Sequence, residues 1–309
     1  MASEGGRRSV CIVGGSGQIG ERLIRAFAAR GWSVVATHCR TPRPGTLPLD
    51  ACDANQVRAL ISRLRPGLLV NSLNAPGGTD ACEADPALAQ RLHLETARHL
   101  IDAAAEVGSR FVQLSTDYVF DGRGGPYRED AVPAPLSQLG RAKLEAERYA
   151  LARAPGSLVL RTSFVFSWAP QTGTKNFVMQ RFDQDRRGEA IRVPNDQVGN
   201  VTYAPNFAEA LVELVEAGAS GIYHVAGTTR CSKYEWALRV AEFFGMDRRL
   251  IHGVSTAELN QRGPRPRESG FRLEKAQAAL KRTRLMSLDE GLADLEEEMA
   301  LVQGARQTR

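Results

Sequence analysis

The sequence is poor in anything that would staple or anchor it. Its five cysteines, Cys11, Cys39, Cys52, Cys82 and Cys231, are odd in number. No two of them form a C-x-x-C pair or a Cys/His metal spacing. A disulfide framework and a cysteine-ligated metal centre are thereby excluded, and reduced, mostly buried thiols in a cytoplasmic protein are expected. The opening residues MASEGGRRSV lack the apolar stretch of a signal peptide, and no run is long enough to span a bilayer. The net charge is +5 and the pI about 9.1, yet no basic run is interleaved with aromatics and no nucleic-acid motif occurs. The excess Arg lies in loops and the C-terminal tail, which suits a solvated surface or attraction of an anionic small molecule such as a dinucleotide. No internal repeat is present.

What the 309 residues do contain is a regular alternation. Hydrophobic residues make up 43% and charged residues 24%, ordinary for a globular protein with a full core. Short apolar runs without polar alternation, at 9–13, 33–37, 68–73, 110–115 and 157–163, have the pattern of strands buried on both faces of a parallel sheet. Between them lie helical periodicities at 21–30, 53–64, 84–107 and 139–153, several ended by glycine. Strand–helix alternation predicts an α/β fold, a Rossmann doubly wound parallel sheet with right-handed crossovers. After residue 165 the rhythm loosens. Helices are expected near 175–187, 206–217, 232–244 and 288–302, with a strand at 221–226, a polar stretch at 192–203 and an Arg/Pro-rich loop at 262–267. Residues 1–8 and the tail GARQTR are expected to lack order.

The turn after the first strand reads Gly14-Gly15-Ser16-Gly17-Gln18-Ile19-Gly20. In the GxxGxxG spacing the first glycine permits the tight turn, the second lets backbone approach a pyrophosphate, and the third lets helix and strand pack closely. The helix start then offers free N–H groups to phosphates. The strand–turn–helix setting is the context that gives the motif its meaning. The end of the second strand reads Thr37-His38-Cys39-Arg40-Thr41-Pro42-Arg43. It has no carboxylate for a ribose 2′-hydroxyl and two arginines able to accept a 2′-phosphate, so NADP(H) is the expected cofactor. Asp50 is placed to bond the adenine amino group. The candidate cofactor residues are Gly14, Ser16, Gly17, Gln18, Ile19, Gly20, Arg40, Arg43, Asp50, Ser72, Leu114 and Lys143. Residues 1–165 form the expected NADP-binding domain, and 166–309 a smaller substrate lobe interleaved with the sheet.

From GGSGQIG at 14–20, STDYVFDG at 115–122, GRAKLEAE at 140–147, RTSFVF at 161–166, NDQVGNVTYAP at 195–205 and RPRES at 265–269, the chain resembles the dTDP-4-dehydrorhamnose reductase group of extended short-chain dehydrogenases over nearly its whole length. The resemblance implies reduction of a 4-keto deoxysugar nucleotide with NAD(P)H. The same group includes the regulatory β subunit of methionine adenosyltransferase, which binds NADP but serves another protein. By resemblance Thr116 hydrogen-bonds the substrate carbonyl, while Lys143 holds the nicotinamide ribose and lowers the pKa of the acid. That acid, the Tyr of a Tyr-x-x-x-Lys pair one helical turn apart, is missing. Leu139 stands four residues before Lys143. His93 replaces a common Asn, and the loop Asn74 to Thr79 is one residue longer than the family pattern. Loss of the proton donor costs about two to four orders of magnitude in rate. Tyr118, His93 or an already protonated imine substrate are the three rescues open to this sequence.

On the substrate side the resemblance places Asn176 and Phe177 near the nucleotide base, Asp196, Gln197 and Val198 beside the sugar or base, and Arg265 near the diphosphate. Trp168 stands where the family has a Gly/Pro-rich loop and would narrow the pocket. The leading expectation is an NADPH-dependent reductase of a carbonyl or imine, with a small-molecule substrate, no nucleic-acid partner and room for a homodimer. The alternative is a catalytically silent NADP-binding regulator or scaffold.

Overall fold

The apolar runs do become buried parallel strands. The computed structural model describes residues 8–170 and 175–307. In chain order the first half runs β1 (Ser9–Val13), α1 (Gln18–Ala29), β2 (Ser33–His38), β3 (Thr46–Pro48), α2 (Ala54–Leu64), β4 (Leu68–Asn71), α3 (Gly78–Ala84), α4 (Pro86–Ala89), a π-helical turn (Gln90–Glu95), α5 (Thr96–Val107), β5 (Arg110–Thr116), α6 (Gln138–Arg153) and β6 (Leu158–Thr162). The second half runs β7 (Val165–Phe166), α7 (Phe177–Arg186), β8 (Ile191–Pro194), β9 (Val198–Asn200), β10 (Thr202–Tyr203), α8 (Ala204–Glu216), β11 (Gly221–His224), β12 (Arg230–Ser232), α9 (Lys233–Phe243), β13 (Ile251–Val254), α10 (Glu274–Ala279) and α11 (Leu288–Gln307).

Seven strands form one sheet in the order β11-β6-β5-β4-β1-β2-β3, every pair parallel. The order reverses between β1 and β4, the switch point at which doubly wound sheets open a crevice beyond the carboxyl ends of their strands. Successive side chains of a strand face opposite sides, and each face has its own apolar core. Val10 and Ile12 join Leu23 and Phe27 of α1 and Phe207 and Leu211 of α8. Cys11 and Val13 join Val57 of α2, Leu100 of α5 and Ala142 of α6. The segment 204–224 therefore supplies the sheet with both a flanking helix and an edge strand. Phe166, Val178, Tyr203, Trp236 and Leu292 form a third apolar cluster.

Several expectations need correction. The single helix 84–107 is not one α-helix: Asp85 caps a new start at Pro86, and a π-helical turn interrupts it at Gln90–Glu95. A proline has no N–H to continue a preceding helix and is favoured at such a start. The polar stretch 192–203 contains three short strands, paired with partners far along the chain. Helix α11 continues to Gln307, into the tail expected to lack order, while residues 1–7 and 308–309 lie outside the described residues. All five cysteines are free, but only Cys11 and Cys82 are buried; Cys39 is exposed. Among the described residues no helix is long and apolar enough to cross a membrane.

Among the described residues, a fully buried ion pair ties β6 to α6. Arg161 of β6 reaches Glu147 of α6 through two bonds of 2.9 and 2.6 Å, with both side chains 1% exposed. The guanidinium also stands 5.1 Å over the Phe120 ring and 3.4 Å from His224. Removing one partner of such a pair leaves an uncompensated buried charge, which costs about 3–5 kcal/mol. Glu147→Ala is accordingly expected to lower unfolding free energy by that order in urea titration. A loss below about 1 kcal/mol would show that Arg161 needs no counter-charge.

Candidate active site

The glycine loop is built as its spacing requires. Gly14 has φ +88°, the left-handed region that favours glycine. A Cβ on Gly20 would lie 2.2 Å from the Gly14 carbonyl oxygen, so only glycine lets α1 start this close to the loop. Ser72 Oγ donates to Val13 O (2.8 Å) and walls the loop from the β4 side. Two polar atoms here are buried without a hydrogen-bond partner, Gln18 Nε2 and Arg43 Nη2. Buried donors are normally paired; these two point to a polar ligand. Arg40 is exposed at the end of β2. Asp50 is exposed beyond β3, and its carboxylate accepts from the Cys52 N–H at 2.9 Å.

At the carboxyl ends of β4 and β5 sits Lys143. Its helix is fixed by Ser137, which caps the Gly140 N–H at 3.2 Å. It is also fixed by Gly140 itself, where a Cβ would be 2.2 Å from Tyr118 O. From there Lys143 Nζ donates to Leu73 O (3.1 Å) and Leu114 O (3.2 Å). Burial pushes its pKa down to about 8, against the opposing pull of Glu147. Leu139, one turn earlier, is buried in the apolar core with Cys82, Leu94 and Ala142. The position of the missing hydroxyl is thus filled by packing and offers no polar atom.

Thr116 ends β5, two residues past Leu114. Its Oγ1 donates to Asp117 Oδ1 at 2.9 Å and accepts from the Tyr118 N–H at 3.3 Å. Asp117 is 3% exposed, and its Oδ2 accepts from Ser269 Oγ at 2.5 Å. Burial raises its pKa to about 6, opposed by Ser269, Thr116 and the Lys233 charge. The residue pattern alone does not single out Asp117, Ser269 and Lys233. The first stands inside the STDYVFDG motif and was legible as a carboxylate beside a candidate hydroxyl. Lys233, whose Nζ lies 5.3 Å from the Phe164 ring centroid, carries no motif signal.

Residues 8–300 match the RmlD substrate binding domain family. The chain belongs to that family. It is a dTDP-4-dehydrorhamnose reductase-like member of the extended short-chain dehydrogenases, of the NAD(P)-dependent oxidoreductase type. The spore coat polysaccharide biosynthesis protein SpsK of Bacillus subtilis is 31% identical over 258 residues, 83% of this chain and 86% of that protein. The methionine adenosyltransferase 2 subunit beta of Xenopus tropicalis is 30% identical over 267 residues, 84% of this chain and 79% of that protein. A crystal structure of dTDP-4-dehydrorhamnose reductase from Bacillus anthracis in complex with NADP superposes with TM-score 0.85 at 26% identity, covering 94% of this chain and 99% of that one.

Against the RmlD family pattern, the two candidate replacement acids lie in unfavourable surroundings. Tyr118 is half-buried; burial and the neighbouring Asp117 raise its pKa, with Arg265 opposing. His93 sits in the π-helical turn, 2% exposed. Burial and the Lys143 charge hold its pKa well below the usual value, so the ring is neutral and carries no acidic proton to give. The substrate candidates are largely committed to the protein itself. Asn176 caps α7 and donates to Ser167 O. Phe177 packs 4.4 Å from Trp236. Gln197 Nε2 donates to Thr256 and Gln261, leaving Oε1 unpartnered. Arg265 pairs with Asp80 at 2.5 Å, which compensates the charge assigned to a diphosphate. Trp168 packs edge-on against Phe182, and its neighbours 171–174 lie outside the described residues.

Both ring nitrogens of His93 lack a hydrogen-bond partner, and burying unpaired polar groups costs about 1–3 kcal/mol. A histidine with a depressed folded pKa contributes stability above the unfolded value of 6.5 that is lost as pH falls through it. His93→Leu is expected to be neutral or stabilising at pH 7 in thermal melts, and to flatten the loss of stability below pH 6.5. A clear destabilisation at pH 7 would mean that the ring is hydrogen-bonded in solution.

Proposed function

We propose that the protein is an NADPH-dependent reductase of a carbonyl or imine, with a 4-keto deoxysugar nucleotide as the favoured substrate class. The observation that carries this reading is Lys143, buried and donating to Leu73 O beyond β4 and to Leu114 O of β5, two residues before Thr116. A lysine buried without a salt bridge is seldom there without a task. The residues present fit a dinucleotide. The Gly14–Gly20 cradle and the α1 start would hold the pyrophosphate. Gln18 Nε2 and Arg43 Nη2 supply unused donors, and Arg40 and Arg43 would take the 2′-phosphate. A bound reduced nicotinamide supplies hydride. Thr116 orients the substrate oxygen through its hydroxyl. Lys143 would bond the nicotinamide ribose and, as a desolvated cation, would stabilise the negative charge that develops on that oxygen.

One observation favours a second reading, an NADP-binding regulator of a partner enzyme. Leu139 removes the usual acid altogether, and one relative at 30% identity is a methionine adenosyltransferase 2 subunit beta. Turnover separates the two readings. With NADPH and a panel of 4-keto sugar nucleotides and cyclic imines, the reductase reading expects NADPH oxidation on at least one. Tight NADPH binding without turnover on any of them supports the regulator instead. The cofactor assignment is tested separately by calorimetry. The Arg40→Ala/Arg43→Ala pair is expected to weaken NADPH binding about 10- to 100-fold while leaving NADH nearly unchanged. Equal effects on both would remove the 2′-phosphate assignment.

A further inference from the structure

The site retains the Thr116 hydroxyl and a lysine but has Leu139 where a tyrosine would stand one turn before that lysine, and burial raises the pKa of Tyr118, so the proton that completes carbonyl reduction needs another source. We infer that Asp117 supplies it through Thr116, acting as a positioning residue and proton relay that never touches the substrate. The inference rests on the reductase reading above.

The hydrogen-bond pattern leaves little freedom. Thr116 Oγ1 has two acceptor sites and one hydrogen. It accepts from the Tyr118 N–H at 3.3 Å and lies 2.9 Å from Asp117 Oδ1. With Asp117 ionised, the Thr116 hydrogen is spent on the carboxylate. With Asp117 protonated, the bond reverses: Oδ1–H donates to Thr116, both Thr116 acceptor sites are filled, and its one hydrogen is free for a substrate oxygen. Ser269 Oγ occupies Oδ2 at 2.5 Å, which leaves Oδ1 as the oxygen that carries the proton. The groups facing Asp117 are Lys233 from α9 and, around Tyr118, Arg265 and Asp80. Asp80 is held by Arg265, so Lys233 is the principal charge opposing protonation. Burial outweighs it, and the carboxyl titrates near 6.

The step balances. Hydride arriving at the carbonyl carbon breaks the C=O π bond and places its electron pair on oxygen. That oxygen takes the Thr116 hydrogen, Thr116 takes the Asp117 hydrogen, and Asp117 is left as a carboxylate to be reprotonated from solvent. The products are an alcohol and the oxidised nicotinamide.

The test has an arm that needs no turnover. In protein labelled with ¹³C at aspartate carboxyls, Asp117 is expected to titrate near 6. Ser269→Ala, which removes a donor to the carboxylate, is expected to move that titration upward. In turnover, kcat should fall as pH rises through the Asp117 titration, and the same limb should move up in Ser269→Ala. Asp117→Asn preserves shape without an ionisable proton and is expected to lower kcat about 100-fold. In the Leu139→Tyr background, where a phenol stands one turn before Lys143, the same change should cost less than about threefold. An Asp117 titration in the ordinary carboxylate range, or equal losses in the two backgrounds, overturns the relay while leaving the reductase reading in place. Absence of turnover on every carbonyl substrate overturns the reductase reading and the relay with it, whatever the titration shows.

Discussion

A buried ammonium held by two strand-end carbonyls is the constraint around which this molecule is organised. Lys143 is placed there because α6 starts close against the turn after β5, which Gly140 permits by leaving no Cβ against Tyr118 O. It remains tolerable as a cation because Leu73 O and Leu114 O accept from it and because Glu147 lies one helical turn on. Glu147 in turn neutralises Arg161 in the core. The charge that serves the site and the charge that braces β6 against α6 therefore share one carboxylate neighbour. A substitution at Glu147 would reach both.

From this constraint follows a division of the site into two halves. The half that would face a dinucleotide keeps its left-handed glycine, its helix start and its unspent donors. The half that would protonate the product is rebuilt. Leu139 has turned the usual position of the acid into core, continuous with Cys82 and Ala142, while the polar groups are linked in the Thr116–Asp117–Ser269 chain. Placing a carboxyl in a buried position disfavours its charged form. The same burial lifts the Asp117 pKa to about 6, so keeping it charged at neutral pH costs stability.

Much of this was legible in the residues alone. The apolar runs gave the strands because a parallel sheet buries both faces of each one, so alternation disappears. The glycine loop was legible because close approach leaves no alternative to glycine at Gly20. Leu139 was legible because the helical spacing to Lys143 is fixed. What stayed hidden depends on residues far apart in sequence. Ser269 meets Asp117 across 152 positions, and Arg265 meets Asp80 across 185. Asn176, Gln197 and Arg265 have side chains suited to a ligand, but the fold uses them as a cap, a loop tie and an ion pair, and no pattern reveals where a polar group is already satisfied. The π-helical turn around His93 leaves no mark in the periodicity because its neighbours remain helical on both sides.

The central claim is that the dinucleotide half of the site is intact and converges on Lys143. A crystal structure of the protein with NADP+ tests it most directly. The account predicts the 2′-phosphate against Arg40 and Arg43, the pyrophosphate on the Gly14–Gly20 loop, and the nicotinamide ribose on Lys143 Nζ with the ring beside Thr116. A dinucleotide held by its adenine end alone, with Lys143 still bonded only to Leu73 O and Leu114 O and the nicotinamide away from Thr116, would contradict it.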